Sequence, residues 1–364
     1  MHFSEVKAIT TADLHRARCE PTRDSIIISR MNTPNLVGAV GYVESDEHGV
    51  FLPDRLWLAR PRNANLTDMR WLNYRLGFGE VASRVRELAT GTSSSMKNIP
   101  KGRLLELKLL VPEFSEQRSI ASTLLAADNL IASLDRLIEK KRLVKLGVMQ
   151  ALLDGRTRLP GHTEPWTFRR IGDFAAVTTG GTPSTRVRSY WGGGIRWMNS
   201  GDIHKKRVHE VGGRITEEGV RNSNARALPR KSVLMALVGQ GKTRGTVAVS
   251  QVELAINQSM AAILPSSQHD PDFLFYNLDS RYDELRGESA GDGGRGVLNL
   301  RIIRNLEVLM PSLKEQRAIG GVLCDADAEI VALERRLASV RNIKRGMMQE
   351  LLTGRTRLMS EAAI

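Results

Sequence analysis

Residues 112 to 159, beginning PEFSEQRSIASTLLAAD and ending VMQALLDGRTRL, recur at 311 to 358, from PSLKEQRAIGGVLCDAD to MMQELLTGRTRL. The offset is 199 throughout, without a gap, and 23 of the 48 positions are identical. Solenoid units run to about 20–50 residues, so so long a period means a duplicated domain followed by its own helix.

Each repeat reads as one long helix. In the second copy Ile319, Leu323, Ala326, Ile330, Leu333, Leu337 and Val340 step by four and three, and Met347 and Leu351 continue the register. The first copy gives Ile120, Leu124, Ala127, Ile131, Leu134 and Ile138, then Val148 and Leu152, with Lys141 and Lys145 interrupting the seam. A sustained period of about 3.5 residues is that of a coiled-coil seam. Pro112 and Pro311 precede the helices, Ser115 is a candidate cap, and Gly155 and Gly354 stand where glycine stops a helix. Because a globular segment must bring the chain back between them, the two helices are expected to pair antiparallel.

The segments 1–111 and 161–310 also resemble each other faintly. Asp24-Ser25-Ile26-Ile27 with Gly38-Ala39-Val40 parallels Lys231-Ser232-Val233-Leu234 with Gly245-Thr246-Val247, at an offset of 207. Both read as strand, polar loop, strand. Helices are predicted near 67–89 and 271–286. The expected class is α+β: two globular α/β domains at 1–111 and 161–310, alternating with helices at 112–160 and 311–358, and a tail at 359–364. The stretch 161–207 has no counterpart ahead of Met1, so the first domain is expected to be short by about 45 residues at its N-terminus.

Composition narrows the chemistry. The 53 Lys and Arg exceed the 40 Asp and Glu, for a formal charge of +13 and a pI near 10.1. Such an excess points to a polyanionic partner, nucleic acid first. Two cysteines, Cys19 and Cys324, cannot build a disulfide framework or a thiolate zinc site, which suits a reducing cytoplasm. No apolar run is long enough for a membrane span, and the N-terminus has no signal-peptide core. Nor does any motif supply catalysis. Gly241-Lys242-Thr243 imitates a phosphate loop, but the required first glycine would fall at Ala236. Gly291, Gly293 and Gly296 spell a dinucleotide pattern with no helix to follow. Pro53-Asp54 with Glu106-Leu107-Lys108 is too widely spaced for a nuclease pattern. No methyltransferase tetrapeptide of the Asn-Pro-Pro-Tyr type occurs, and the seven histidines lack metal-ligand spacing.

The twice-used P-x-x-x-E-Q-R-x-I…MQ-x-LL-x-G-R-T-R-L helix resembles the specificity subunit of type I restriction–modification systems. So does the stretch Trp166…Ile171-Gly172-Asp173-Phe174…Gly180-Gly181-Thr182-Pro183-Ser184…Tyr190-Trp191…Ile195-Arg196-Trp197…Asp202-Ile203. Gly241 to Gly245 and Asn299-Leu300 add to the likeness. The resemblance implies a non-catalytic reader of double-stranded DNA, each globular domain taking one half of a bipartite site. The paired helices would set the spacing and dock two modification (methyltransferase) subunits, with restriction subunits joining the complex. S-adenosylmethionine, ATP and magnesium would belong to those partners. The competing readings are a stand-alone methyltransferase or endonuclease, and a structural coiled-coil scaffold.

Candidate DNA contacts are polar residues on loops between strands. In the second domain these are Lys242, Thr243 and Arg244, then Lys205, Lys206 and Arg207, then Arg186, Arg188 and Tyr190. In the first domain they are Arg30, Asn32 and Asn35, beside Ser29. Arginine suits guanine and asparagine suits adenine, while Lys and Thr more often hold phosphate. Trp191 and Trp197 either stack on bases or pack. Gln117 and Gln316 at the helix starts either hold the domain–helix junction or dock partner subunits; Arg136 and Arg335 are further docking candidates.

Overall fold

The computed structural model describes residues 6–91, 95–239, 242–287 and 297–358. Gly241, the three glycines Gly291, Gly293 and Gly296, and the tail 359–364 lie outside the described residues. The chain is α+β and divides into two compact units, 1–137 with 333–364, and 138–332; the division falls inside both long helices.

Those helices run over Phe114–Leu153 and Leu313–Leu352, 40 residues each and in register with the 199-residue offset. Gly155 and Gly354 follow them at φ +73° and +76°, a left-handed conformation that glycine adopts without strain. Ser115 does not cap the first helix: the helix already begins at Phe114, so Ser115 is inside it.

In the first unit Ser25–Ser29 is the middle strand of an antiparallel sheet, between Val40–Val43 and Leu56–Ala59. Its side chains are buried at every position, as expected of a strand covered on both faces. The predicted helix near 67–89 is two helices, Met69–Gly77 and Gly79–Glu87, broken at Gly79 with φ +60°. Ile26, Ile28, Val37, Met69, Val81, Val85 and Ile99 form the core there. Ile120, Leu124, Leu351 and Leu352 of the long helices pack with Trp71.

In the second unit the middle strand is Val233–Ala236, within the order Val177–Thr179, Met260–Ile263, Val233–Ala236, Val247–Ser250, Arg207–Val208. A second sheet joins Gly213–Ile215, Trp191–Met198 and Ala255–Ile256. Thr167–Arg170 pairs antiparallel with Glu307–Met310. The predicted helix near 271–286 is again two, Pro271–Ser280 and Tyr282–Gly287.

The faint 207-residue likeness is a duplicated substructure. Ile26 faces Tyr42 in one sheet as Val233 faces Val249 in the other. Gly38 N–H donates to Ser29 O at 2.7 Å, and Gly245 N–H to Ala236 O at 3.0 Å. Gly38 and Gly245 both have positive φ, +78° and +81°, as do Asp24 and Lys231 at +57° and +67°. The sharp reversals fall at the same places in both copies.

Candidate nucleic-acid interface

In the second unit four connecting segments converge at one end of the sheets. Asn257 N–H donates to Met198 O at 3.1 Å, and Leu237 N–H to Ser259 O at 2.9 Å. Thr182 Oγ1 donates to Gln258 Oε1 at 2.6 Å, and His204 Nε2 lies 3.4 Å from Thr243 Oγ1. Close packing forces glycine at the first of these segments, since a Cβ on Gly180 would sit 1.8 Å from Ile256 O. Thr182, Asn199, His204, Lys205, Lys242 and Gln258 are exposed there. This gives a surface with two cations, amides and hydroxyls, the groups that meet phosphates and base edges. Thr182, Asn199, His204 and Gln258 were missed in the sequence; only proximity of distant loops identifies them.

Several residues proposed from sequence have other work. Arg244 is buried at 7% exposure. At the 207-residue offset it stands in the place of Val37, which is 2% exposed, so this loop position points inward in both copies. Arg207 pairs with Asp272, lies 4.7 Å from the Phe275 ring and donates to Cys324 Sγ at 3.3 Å. Burial disfavours its charge, but Asp272 more than offsets that and holds the guanidinium above its ordinary range. Lys206 pairs with Asp279. Arg207 and Lys206 therefore secure the helix Pro271–Ser280. Lys205 remains exposed while bonding Asp202 at 2.7 Å and Glu210 O at 3.1 Å.

Arg186 and Arg188 are exposed and Tyr190 half-buried, on the segment leading into Trp191–Met198. Trp191 and Trp197 pack edge to face, centroids 5.2 Å apart, and donate to Ser184 O at 3.1 Å and Gly181 O at 2.9 Å. Both rings are half-buried and held by these contacts. In the first unit Asn35 is exposed, Arg30 lies over Trp57 at 5.8 Å, and Asn32 bonds Ser29 Oγ at 3.1 Å and the Thr33 amide at 2.8 Å. Asn35 occupies the position of Lys242 at the 207-residue offset.

Gln117 and Gln316 cannot dock a partner, because they are 1% and 2% exposed. Gln117 accepts from Asp68 N–H at 2.9 Å and donates to Leu66 O at 3.1 Å and Pro112 O at 2.9 Å. Gln316 accepts from Asp270 N–H and donates to Pro311 O, both at 2.9 Å. Each ties the start of a long helix to the cap of the helix packed on it. Arg136 and Arg335 are exposed.

Within each unit, charges link the long helices in the same way. In the first, Glu116 accepts from Arg357 at 2.6 Å, Asp128 pairs with Lys344 and Asp135 with Arg341 at 2.9 Å. In the second, Glu315 accepts from Arg158 at 2.6 Å, Asp327 pairs with Lys145 and Glu329 with Lys141 at 2.7 Å. One residue number rises as the other falls, so the paired segments run in opposite directions. Lys141 and Lys145, which interrupt the seam, are partners for acids on the facing helix. Tyr74 and Tyr276 donate to Asp128 and Asp327 at 2.7 and 2.6 Å. Burial and then those carboxylates hold both phenols above their ordinary range.

Residues 163–340 match the family model described as type I restriction modification DNA specificity domain. The putative type I restriction enzyme MjaX specificity subunit of Methanocaldococcus jannaschii is 23% identical over 350 residues, covering 92% of this chain and 78% of that protein. The MjaIX specificity subunit of the same organism is 28% identical over 162 residues, 43% of this chain and 37% of its own length. The Escherichia coli EcoR124I/EcoR124II specificity subunit is 26% identical over 161 residues, 43% of this chain and 39% of its own length. The crystal structure of the type I restriction–modification S subunit from M. genitalium superposes with a TM-score of 0.62 at 16% identity, covering 92% of this chain and 84% of that one. Family model, relatives and fold agree, and the chain is similar to the specificity subunits of type I restriction–modification systems.

Proposed function

We propose that this chain reads a bipartite DNA sequence, each globular domain taking one half, while the two long helices pair as an antiparallel coiled coil that sets the spacing. The domains on this reading are 1–111 and 161–310, with spacer helices at 112–160 and 311–358. The duplication carries the reading: the same strand–loop–strand, closed by the same backbone bonds, occurs once in each unit. Of the contacts read from the sequence, Lys242, Thr243, Lys205, Arg186, Arg188 and Tyr190 in the second domain and Asn35, Asn32 and Arg30 in the first are kept. Thr182, Asn199, His204 and Gln258 join them. Two modification subunits dock on the repeated helix surface, including Arg136 and Arg335, and restriction subunits complete the assembly. S-adenosylmethionine, ATP and magnesium are bound by those partners, and the work takes place in the cytoplasm, where the host DNA lies. This chain recognises; it does not cut or methylate. Among the described residues no helix is long and apolar enough to cross a membrane.

The test is binding to duplex DNA by the complex with modification subunits, over a salt series. Lys242→Ala is expected to weaken binding and to reduce the salt slope by about 1, as loss of one phosphate contact requires. An unchanged slope and affinity for the joint Lys205→Ala and Lys242→Ala variant would remove this surface from the interface.

A further inference from the structure

The junction between each globular domain and its long helices is pinned twice, at the same spacing in both copies. The first pin is a glutamine. Gln117 accepts from the amide of Asp68, which caps Met69–Gly77, and Gln316 from the amide of Asp270, which caps Pro271–Ser280. The second is a tyrosine six residues beyond each cap. Tyr74 donates to Asp128 at 2.7 Å and Tyr276 to Asp327 at 2.6 Å, and each aspartate stands eleven residues beyond its glutamine. Each carboxylate also pairs with an ammonium of the facing long helix, Lys344 in the first unit and Lys145 in the second. Those ammonium groups lie over the tyrosine rings, 5.4 and 5.3 Å from the centroids. Three elements thus meet on one carboxylate: the domain's helix, the long helix that follows it and the facing long helix.

What surrounds the pins differs between the copies. Of the five residues between cap and tyrosine, only Leu72 and Leu274 agree. Trp71 packs with Ile120, Leu124, Leu351 and Leu352, whereas Phe273 shares a core with Ile319, Leu323, Leu152 and Leu153. Apolar burial has no preferred direction, so it holds a helix down without setting its angle. A domain tied only at its glutamine could pivot there. A hydrogen bond weakens steeply off line, and a second one stops the pivot. The tyrosines lie outside the 48-residue repeat, yet both copies carry them.

We infer that Tyr74 and Tyr276 are positioning residues. Each acts through its aspartate to set the angle at which its domain stands on the helix pair, and thereby the gap accepted between the two halves of a DNA site. The inference rests on the bipartite reading proposed above. Angle matters because one added base pair turns the next half-site by about 35° while moving it by only about 3.4 Å. Lys344 and Lys145 complete the stop, since the carboxylate is held from both sides only where the long helices are paired. Orientation of the domain and pairing of the helices are therefore coupled.

The test uses the complex with modification subunits and duplexes carrying its mapped motif, the gap at its natural length, one pair shorter or one pair longer. The natural chain is expected to bind the altered gaps at least about tenfold more weakly, a cost typical of one mismatched pair. The chain with Tyr74→Phe and Tyr276→Phe should hold its affinity for the natural gap, and its discrimination against the altered gaps should fall to about threefold or less. Lys344→Met with Lys145→Met, which keeps the apolar stems, should do the same. Mismatches inside either half should still be rejected as by the natural chain. A tyrosine double variant that unfolds earlier in denaturant yet rejects altered gaps as the natural chain does overturns the proposal, leaving the tyrosines a structural role. Loss of discrimination inside the halves together with the gap also overturns it, because the readers themselves would then be damaged. A natural chain indifferent to the gap would instead defeat the bipartite reading, and this proposal with it.

Discussion

His269 is 2% exposed, with Nδ1 2.9 Å from Ser266 Oγ and its ring against Phe174 at 5.3 Å. Burial pushes its pKa down to about 4. An unfolded chain would bind this proton near pH 6.5, so the unfolded state takes up more protons between those values. The contribution of His269 is therefore fully present above about pH 6.5 and lost as pH falls through about 4, by up to ~3 kcal/mol. Thermal melts of the second unit should show a shallower acid loss for His269→Asn than for the natural chain; equal slopes would contradict the burial argument. Tyr276→Phe removes a hydroxyl that donates to Asp327 at 2.6 Å. A bond to a charged acceptor is worth about 1.5–3 kcal/mol, and denaturant unfolding should show a loss in that range. Arg244→Ala is expected to lower stability while leaving the salt slope of DNA binding unchanged, in contrast to Lys242→Ala.

At the scale of elements, the repeat made the long helices legible to within a few residues, because a strict heptad and a closing glycine are local signals. The sheets were legible only as strand–loop–strand, since their partners lie 12 to 30 residues away in the register between Val233–Ala236 and its neighbours Val247–Ser250 and Met260–Ile263. What stayed hidden was side-chain direction. Arg207 reads as a basic loop residue until Asp272 and Cys324 are found beside it. Gln117 reads equally as a junction residue or a docking residue until its partners at Leu66 and Asp68 are seen. The pairing of the helices has its own test. Asp135→Arg places two arginines together at Arg341, and the double variant with Arg341→Asp restores the pair. Exposed ion pairs are worth at most about 1 kcal/mol, so the single variant should melt slightly lower and the double should recover most of the difference.

For the whole molecule, a formal charge of +13 accompanies a strand–loop–strand that occurs once in each unit. No motif for catalysis was found in the sequence, and residues 163–340 match a family model of type I DNA specificity domains. The central claim is two readers held at a fixed spacing. It is tested most directly by mapping methylated bases across the genome of cells that express this chain with its modification subunits. The account predicts one bipartite motif, two short specified segments separated by unspecified bases. It also predicts that joint alanine substitution at Thr182, Lys242 and Gln258 relaxes one segment and leaves the other. A single uninterrupted motif, or a loop variant that alters both segments alike, would contradict it.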